Sequence, residues 1–300
     1  MKILLPVDGS KAAREAVDFV RSLAKVRPVE VVVSMVSFAP AQHAMQPYSS
    51  EWKEQENLYI QKVLDNAKHA LDVDCQSVSI IHGAGSVVPC ILDQARDAKV
   101  DLIVMGAKGL STTKRSHLGS VSDNIATRAD CSVVVVRPGR RKNQHLGKIL
   151  LAFDKSAASR EAASELLLWK LSGDTHISVV SVAQTPSIFT DDGCVSSPYP
   201  LTPEQISPIN DAAIRMASHI AEQHAQTDTQ TLSADHIGEA IVEAAEKAEA
   251  DLIVVGDAGH SRRGDFFLGS TSKYLLRHAS CSVWISRYHW KTDAEEAAPE

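Results

Sequence analysis

Residues 2–10 read KILLPVDGS, and the same pattern returns at residues 148–156 as KILLAFDKS. Residues 101–106 (DLIVMG) likewise return at residues 251–256 as DLIVVG. The copies are separated by 146 to 150 positions, which is far longer than the repeating unit of a solenoid protein. Each copy is therefore predicted to be a whole domain, so the chain of 300 residues holds the same domain twice.

The repeat places the domain boundary near the middle of the chain. Residues 1–138 are predicted to form the first domain and residues 147–290 the second, with a basic, polar linker between them. Residues 291–300 are predicted to be a polar tail. A further match aligns residues 36–39 (VSFA) with residues 180–183 (VSVA), which places the end of the second strand in each copy.

Charge is spread unevenly between the two halves. Residues 1–146 hold 19 basic and 15 acidic side chains, net +4, whereas residues 147–300 hold 12 and 22, net −10. The formal net charge of the whole chain is −6, which argues against a general nucleic-acid-binding protein because such proteins are usually basic. The 44% hydrophobic and 23% charged content is typical of a chain that buries a substantial core.

The sequence predicts a cytoplasmic protein. No stretch approaches the ~18–20 uninterrupted apolar residues that a transmembrane helix needs, and the apolar run at the N-terminus is too short for a signal peptide. The five cysteines show no CxxC spacing, which favours reduced thiols over a disulfide framework or a zinc site.

Apolar runs alternate with amphipathic segments in both copies. Runs such as residues 102–105 and 133–136 are typical of strands buried on both faces, as parallel sheets require. Ser10 is predicted to cap the first helix. Further helices are predicted at residues 51–71, 87–98 and 120–129 and, in the second copy, at residues 156–171, 203–226, 238–249 and 270–278. The pattern predicts an α/β fold: two tandem copies of an open five-stranded parallel sheet with helices on both faces.

The residues after the fourth strand carry the most specific motif. Residues 106–109 read GAKG, nine positions follow, and residues 119–120 are GS; the second copy has GDAG at residues 256–259 and GS at residues 269–270. In open α/β sheets, ligands bind beyond the carboxyl ends of the strands at a topological switch point. The G-x2-G-x9-G-S loops therefore lie where a ligand is expected.

Phosphate binding explains the composition of these loops. Glycines allow several backbone N–H groups to approach one anion, and the Gly-Ser pair opens a helix whose N-terminus favours negative charge. Glycines that only serve tight turns are the alternative. The Walker A and GxGxxG motifs are absent, so nothing in the sequence supports a kinase or a dehydrogenase.

Other chemistry-bearing residues receive structural interpretations. Ser10 and Ser156 are predicted helix caps, since no G-x-S-x-G motif is present. Asp101 and Asp251 precede the fourth strands, at the edge opposite the predicted site, and are interpreted as turn residues. The twelve histidines show no zinc-ligand spacing and are predicted to lie at the surface or in turns.

The chain resembles the universal stress protein A family over nearly its whole length, as two tandem copies. The resemblance rests on residues 6–10 (PVDGS), on the G-x2-G-x9-G-S loop and on residues 131–138 (CSVVVVRP). It implies an adenine-nucleotide-binding fold with strand order 3-2-1-4-5. The switch point of that order lies between strands one and four.

In the first copy the resemblance implies that Asp8 faces the nucleoside, where a carboxylate can accept hydrogen bonds from ribose hydroxyls. The main chain of Phe38 would contact adenine and Pro6 would wall the site. The loop would hold ribose and phosphates. The residues implied to bind nucleotide are Pro6, Asp8, Phe38, Met105, Gly106, Lys108, Gly109, Gly119, Ser120 and Val121.

The second copy departs from this pattern. Lys155 replaces Gly9, and Phe153 either narrows the pocket or turns into the core. Asp257 is expected to add negative charge near the phosphates, partly offset by Arg262 and Arg263. The long connection at residues 185–208 is interpreted either as a lid or as a solvated loop. The implied binding residues are Asp154, Val182, Val255, Gly256, Ala258, Gly259, Gly269, Ser270 and Thr271.

The resemblance implies a stress-response protein that binds ATP or another adenine nucleotide, with or without Mg²⁺, as a regulator or sensor. No catalytic or metal-binding residue is assigned, although slow ATP hydrolysis stays open. The alternatives are an interaction scaffold with degenerate or differently occupied pockets and an enzyme acting on an adenylated substrate. Pairing of residues 131–136 with residues 281–285 is predicted to give an intramolecular pseudo-dimer, and a homodimer of the whole chain stays open.

Overall fold

The computed structural model describes residues 1–37, 50–110, 118–138, 146–190, 193–196, 200–224, 226–258 and 268–287. The chain divides into two compact units. The first ends at Pro138, and the second contains the described residues from Leu146 onward.

The first unit alternates strands and helices throughout. Its elements are β1 (Lys2–Pro6), α1 (Lys11–Ala24), β2 (Glu30–Ser37), α2 (Ser50–Leu71), β3 (Ser77–Ala84), α3 (Val87–Asp97), β4 (Leu102–Gly106), α4 (Ser120–Arg128) and β5 (Ser132–Val136).

The second unit repeats this order and adds a short antiparallel pair, β8 with β9, after its second strand. Its elements are β6 (Lys148–Ala152), α5 (Ala157–Leu168), β7 (His176–Gln184), β8 (Ser187–Thr190), β9 (Gly193–Ser196), α6 (Pro203–Ala221), β10 (Thr227–Ala234), α7 (Ile237–Lys247), β11 (Leu252–Gly256), α8 (Ser270–His278) and β12 (Ser282–Ser286).

Strand order confirms the predicted fold class. The first unit has the order β3-β2-β1-β4-β5 and the second the order β10-β7-β6-β11-β12, and neighbouring strands within each unit pair in parallel. Every residue of β5 and β12 is buried. A parallel sheet covered by helices on both faces requires such continuous apolar strands.

The order of the strands creates the switch point. From β1 the chain crosses through α1 to β2 on one side, whereas β4 lies on the other side of β1. Right-handed crossovers then place α1 and α2 on one face of the sheet and α3 and α4 on the other, and each of these helix pairs is in contact. The carboxyl ends of β1 and β4 consequently open into a crevice.

The predicted helix caps and turn residues are confirmed. Ser10 Oγ accepts a hydrogen bond from the N–H of Ala13, and Ser156 Oγ accepts one from Ser159, both at 3.1 Å. Asp101 accepts from the backbone N–H of Lys2 at 2.7 Å, and Asp251 from that of Lys148 at 3.0 Å. The two aspartates therefore hold the first and fourth strands of each sheet together at their amino ends.

The connection at residues 185–208 contains more structure than predicted. It includes β8 and β9 and the first residues of α6, which begins after a capping box formed by Thr202 and Gln205. The predicted helix end at residue 226 was also wrong, because α6 ends at Ala221 and the next strand begins at Thr227.

Cys75 and Cys90 are free thiols, and Cys131 and Cys281 are buried. Burial, together with the neighbouring carboxylates of Asp74 and Asp72, raises the pKa of the Cys75 thiol to about 11. Cys75 is therefore protonated near neutral pH, which makes it a poor nucleophile.

Within the described part of the chain, no helix is both long enough and apolar enough to cross a membrane.

Candidate functional site

A cleft of about 280 Å³, here called the first cleft, opens at the carboxyl ends of β1 and β4. Nine residues predicted from the sequence line it together: Pro6, Asp8, Met105, Gly106, Lys108, Gly109, Gly119, Ser120 and Val121. They come from the end of β1 and the turn after it, from the end of β4 and the loop after it, and from the start of α4. Phe38, the tenth predicted residue, lies outside the described part of the chain.

Asp8 links the two halves of the first cleft. Its Oδ1 accepts a hydrogen bond from the N–H of Ser10 at 2.9 Å, and its Oδ2 accepts one from the N–H of Leu110 at 3.1 Å. Each carboxylate oxygen has two lone pairs, so both retain capacity for a further donor. A ligand hydroxyl or amine in the cleft can therefore bind Asp8 without breaking the turn.

The N-terminus of α4 forms the floor of the first cleft. Its N-cap is Gly119, and no described side chain caps the helix, in contrast to α1 with its Ser10 cap. Ser122 Oγ instead donates to the carbonyl groups of Gly106 and Ala107, at 3.0 and 3.1 Å, and holds the helix against the end of β4. The N–H groups of the first turn are left for an anion.

The two loop glycines have different spatial roles. A Cβ atom on Gly106 would lie 2.5 Å from the backbone carbonyl carbon of Ala12, so Gly106 permits the close approach of α1 to β4. A Cβ atom on Gly109 would lie 2.8 Å from Asp8 Oδ2. Both glycines line the cleft, but only Gly106 lies against a helix backbone, a distinction that the spacing of the motif could not show.

An apolar wall that the sequence analysis missed closes the first cleft. Val36 at the end of β2 and the pair Val87 and Ile91 on α3 line it. Ile237 and Ile241 occupy the same places on α7 in the second unit. The available signal was an apolar pair four positions apart at the start of a helix, present in both copies. Such a wall suits one face of a flat, aromatic ligand.

A second cleft of about 440 Å³ occupies the same position in the second unit. Eight predicted residues line it: Asp154, Val182, Val255, Gly256, Ala258, Gly269, Ser270 and Thr271. Gly259 lies outside the described residues, as do Arg262 and Arg263. The N-cap of α8 is Gly269, again without a described side-chain cap, so both clefts end on an uncapped helix N-terminus.

The sequence model of the universal stress protein family matches residues 1–137 and 145–287. The chain belongs to the universal stress protein family. It is therefore a two-domain member of a family of stress-response proteins.

Solved structures share the fold over the whole chain. A universal stress protein from Archaeoglobus fulgidus DSM 4304 superposes with a TM-score of 0.69 at 19% identity, covering 96% of this chain and 98% of that one. A putative universal stress protein from Pseudomonas aeruginosa UCBPP-PA14 gives a TM-score of 0.62 at 14% identity, covering 98% and 97%. At these identities the likeness shows the fold.

Relatives by sequence carry the same family name. Universal stress protein Slr1230 of Synechocystis sp. is 28% identical over 228 residues, which cover 75% of this chain and 71% of that protein. Universal stress protein YxiE of Bacillus subtilis is 29% identical over 145 residues, covering 45% of this chain and 98% of that protein. The second relative therefore matches about one of the two domains.

The two universal stress protein domains correct one alignment made from the sequence. Pro6 of β1 pairs with Ser34 of β2, and Ala152 of β6 pairs with Val180 of β7. Val182 is therefore the counterpart of Val36, whereas the sequence match had paired Val182 with Phe38. The slip was two residues, which leaves every side chain on the same face of the strand, so hydrophobic alternation could not detect it.

Asp257 has a partner that the sequence analysis did not predict. Its Oδ2 lies 3.8 Å from Nε of Arg287 at the end of β12, and both side chains are largely buried. Asp257 is also not among the residues that line the cleft. Its charge is paired with that of Arg287 within the universal stress protein fold, which reduces the negative charge that Asp257 was expected to add beside the second cleft.

Phe153 turns into the core and does not make the second cleft the narrower one, since that cleft measures about 440 Å³ against about 280 Å³ for the first. The side chain is 5% exposed and lines the second cleft, while its backbone N–H donates to the Val180 carbonyl at 2.9 Å. The larger ring in place of Val7 thus belongs to the core and also forms part of the cleft wall.

The histidines that the structure describes have local roles. His236 caps α7 by accepting the N–H of Glu239 at 3.0 Å, and His82 hydrogen-bonds Ser37. Arg115, His117 and His260 lie outside the described residues. In the part of the chain that the structure describes, no three His, Cys, Asp or Glu side chains are grouped so that they could hold a metal ion.

Proposed function

We propose that this universal stress protein binds ATP or another adenine nucleotide in both clefts, with or without Mg²⁺, and acts as a nucleotide-dependent regulator or sensor in a stress response. The observation that carries the proposal is the convergence, in both domains, of a carboxylate, a glycine loop and a helix N-terminus that no described side chain caps, on one cleft. The carboxylate suits the ribose hydroxyls of a nucleotide, and the loop and the helix N-terminus suit its phosphates.

The chemistry of each part supports this assignment. The apolar wall of Val36, Val87 and Ile91 accommodates a flat base. Asp8 accepts hydrogen bonds from ribose hydroxyls, since a carboxylate beside phosphates would repel them. The first turn of α4 offers backbone N–H groups and the positive end of the helix dipole to the phosphates. Any Mg²⁺ would take its ligands largely from phosphate oxygens and water.

Charge-introducing variants at the helix N-caps test the proposal. Gly119 and Gly269 have φ of −81° and −57° with ψ of 153°, and aspartate is a good N-cap residue. The Gly119→Asp and Gly269→Asp variants should therefore fold, while the new carboxylate repels phosphate. Titration calorimetry with ATP should show one site lost in each variant and both sites lost in the double variant.

Gly173→Asp is the matched control. A Cβ atom on Gly173 meets nothing within 4 Å, and the residue lies in the turn before β7, at the edge of the sheet opposite the cleft. The added charge is the same, but ATP affinity should stay unchanged. Unaltered ATP binding in the Gly119→Asp and Gly269→Asp double variant would contradict the loop assignment.

Thermal unfolding separates a nucleotide-binding protein from an interaction scaffold. A ligand that binds only the folded state must raise the melting temperature by mass action, so millimolar ATP should raise it. No shift would favour the scaffold with degenerate pockets. Release of product from labelled ATP over a long incubation would indicate an enzyme, and mass spectrometry of the co-purified small molecule would identify the physiological ligand.

Three further parts of the proposal rest on the sequence and the family. The cytoplasmic location is a prediction from the cysteine pattern of the sequence. Pairing of the two domains as a pseudo-dimer and dimerisation of the whole chain stay predictions. Fractionation of cells and sedimentation of the purified chain test the location and the oligomeric state.

A further inference from the structure

Tyr59 of α2 contacts the turn that carries Asp8. Its hydroxyl group donates a hydrogen bond to the backbone carbonyl group of Asp8 at 3.1 Å. The tyrosine side chain is 44% exposed and is not among the residues that line the first cleft. Any effect of Tyr59 on a ligand in that cleft therefore passes through the Asp8 turn.

Gly9 allows the tyrosine to come this close to the turn. A Cβ atom on Gly9 would lie 2.3 Å from Tyr59 Oη and 3.1 Å from Val63 Cγ2, so a larger residue would displace the tyrosine hydroxyl from the turn. Gly9 also has a φ of +81°, a conformation that glycine adopts without strain. The glycine is therefore required both by the backbone of the turn and by the helix that contacts it.

Two sets of hydrogen bonds hold Asp8. The carboxylate accepts from the backbone N–H groups of Ser10 and Leu110, at 2.9 and 3.1 Å. The bond from Tyr59, 51 positions later in the chain, fixes the carbonyl group of the same residue. Because the carbonyl and the carboxylate share one backbone unit, fixing the first restricts the places that the second can occupy. Restriction of this kind before a ligand arrives lowers the entropy lost on binding.

Helices α2 and α6 correspond through their last turns. The carbonyl groups of Leu71 and Ile220 each accept a bond from the N–H group four positions later, at 2.9 Å in both helices. The offset of 149 positions between these two residues makes Pro208 of α6 the counterpart of Tyr59.

Both members of the contact are replaced in the second domain. Lys155 stands in place of Gly9, and Pro208 stands in place of Tyr59. Proline has no hydroxyl group to donate, so position 208 cannot hold the turn of the second domain in this way. The carboxylate itself is kept as Asp154, which lines the second cleft. The two domains therefore differ in the support of the carboxylate.

We infer that Tyr59 is a positioning residue of the first cleft, whose hydroxyl group holds the Asp8 turn so that the carboxylate is placed for the ribose hydroxyls of a nucleotide. Because Pro208 cannot make the equivalent bond, the effect is confined to the first cleft. The inference rests on the proposed function, since it concerns how that cleft holds the ribose.

A test needs a chain in which only the first cleft reports. The Gly269→Asp variant provides this background, into which Tyr59→Phe is introduced to remove the hydroxyl group and keep the ring. Calorimetry with ATP and with dideoxy-ATP, which lacks both ribose hydroxyls, isolates the contribution of those hydroxyls. Tyr59→Phe should weaken ATP binding about three- to tenfold, as expected for loss of one hydrogen bond, and leave the affinity for dideoxy-ATP unchanged.

Two controls and one further measurement separate positioning from packing. Leu58→Ala changes the neighbouring position of α2, which is 65% exposed, and should leave both affinities unchanged. Tyr59→Phe in the Gly119→Asp background, where only the second cleft reports, should leave ATP affinity unchanged. In the absence of nucleotide, hydrogen exchange of the Leu110 N–H, which donates to Asp8, should be faster in Tyr59→Phe than in the unchanged protein.

Different results would overturn different parts of the inference. Equal losses of affinity for ATP and dideoxy-ATP would make Tyr59 a packing residue. Unchanged ATP affinity, or unchanged exchange of the Leu110 N–H, would show that the Asp8 turn does not depend on the hydroxyl group, while leaving nucleotide binding intact. No ATP binding by the Gly269→Asp background itself would contradict the proposed function of the first cleft, and the role of Tyr59 with it.

Discussion

The carboxylate of Asp8 accepts a hydrogen bond from the backbone N–H of Leu110, 102 positions later in the chain, at 3.1 Å. The other carboxylate oxygen accepts from Ser10 at 2.9 Å. One side chain thus fastens the turn after β1 to the loop after β4, the two segments between which the first cleft lies. Asp8 therefore shapes the cleft in addition to facing a ligand in it.

Replacing Asp8 by asparagine should weaken both the link between the two segments and the binding of a ligand in the first cleft. The amide has one acceptor oxygen, so it cannot accept from Ser10 and Leu110 with separate oxygens. We expect the free energy of unfolding to fall by about 1 kcal/mol and ATP affinity in the first cleft to fall. Urea denaturation and calorimetry in the Gly269→Asp background measure the two effects. An unchanged ATP affinity would show that Asp8 only supports the loop.

The glycines at residues 106 and 109 should respond differently to alanine. In Gly106→Ala the new Cβ atom meets the backbone of Ala12, which cannot move aside independently of α1, so we expect a loss of about 1–3 kcal/mol in unfolding free energy. In Gly109→Ala it meets only the end of the Asp8 side chain, so stability should change within about 0.5 kcal/mol while ATP affinity falls. Equal losses of stability in the two variants would contradict the packing role of Gly106.

Stacked indoles are a feature of the second domain. The ring centroids of Trp169 and Trp284 are 3.7 Å apart with an interplanar angle of 19°, and the side chains are 1% and 0% exposed. Trp284→Ala should lower the unfolding free energy by about 3–5 kcal/mol because it leaves a cavity and removes the stack.

Trp284→Phe is the matched control for this stack. It keeps an aromatic ring and removes the indole N–H, which is buried without an acceptor among the described residues. Its cost should therefore be clearly smaller than that of alanine. Urea unfolding followed by circular dichroism measures both variants, and equal costs would show that stacking contributes little.

His224 should make stability depend on pH. The residue lies just beyond the end of α6 and is 7% exposed, and burial lowers its pKa below the ordinary value of 6.5. As pH falls through 6.5 the unfolded chain binds a proton that the folded chain refuses, so stability present above that pH is lost on acidification. Between pH 8 and pH 5, the urea concentration at the unfolding midpoint should fall less steeply for His224→Gln than for the unchanged protein. Identical slopes would show that His224 is not responsible.

The position of each helix start could be read from local sequence. Ser10 and Ser156 cap α1 and α5 as predicted, because an N-cap hydroxyl acts within three residues of itself. Asp101 and Asp251 were assigned correctly for a similar reason: their places before buried strands put them at the amino edge of the sheet. The two-residue misalignment of Val182 shows the limit, since a pattern of period two matches itself after a shift of two.

The candidate site was predictable as a set of residues but not as a set of contacts. Its loops recur with constant spacing, so the repeat alone marked them. The apolar wall of Val87 and Ile91 was missed because α3 reaches the cleft only through the crossover of the chain. The pairing of Asp257 with Arg287 was missed because it joins two strand ends that are 30 positions apart.

By itself, then, the sequence determined that the chain contains two copies of one α/β domain. Periodicity, helix caps and glycine spacing act over short distances along the chain, and all three appear twice in the same order. Only the tertiary structure decided which glycine makes room for a helix and which lies against the Asp8 carboxylate, and which charges are paired within the fold. Those distinctions depend on atoms brought within a few ångströms by strand pairing across up to about one hundred residues, as Asp8 and Leu110 are.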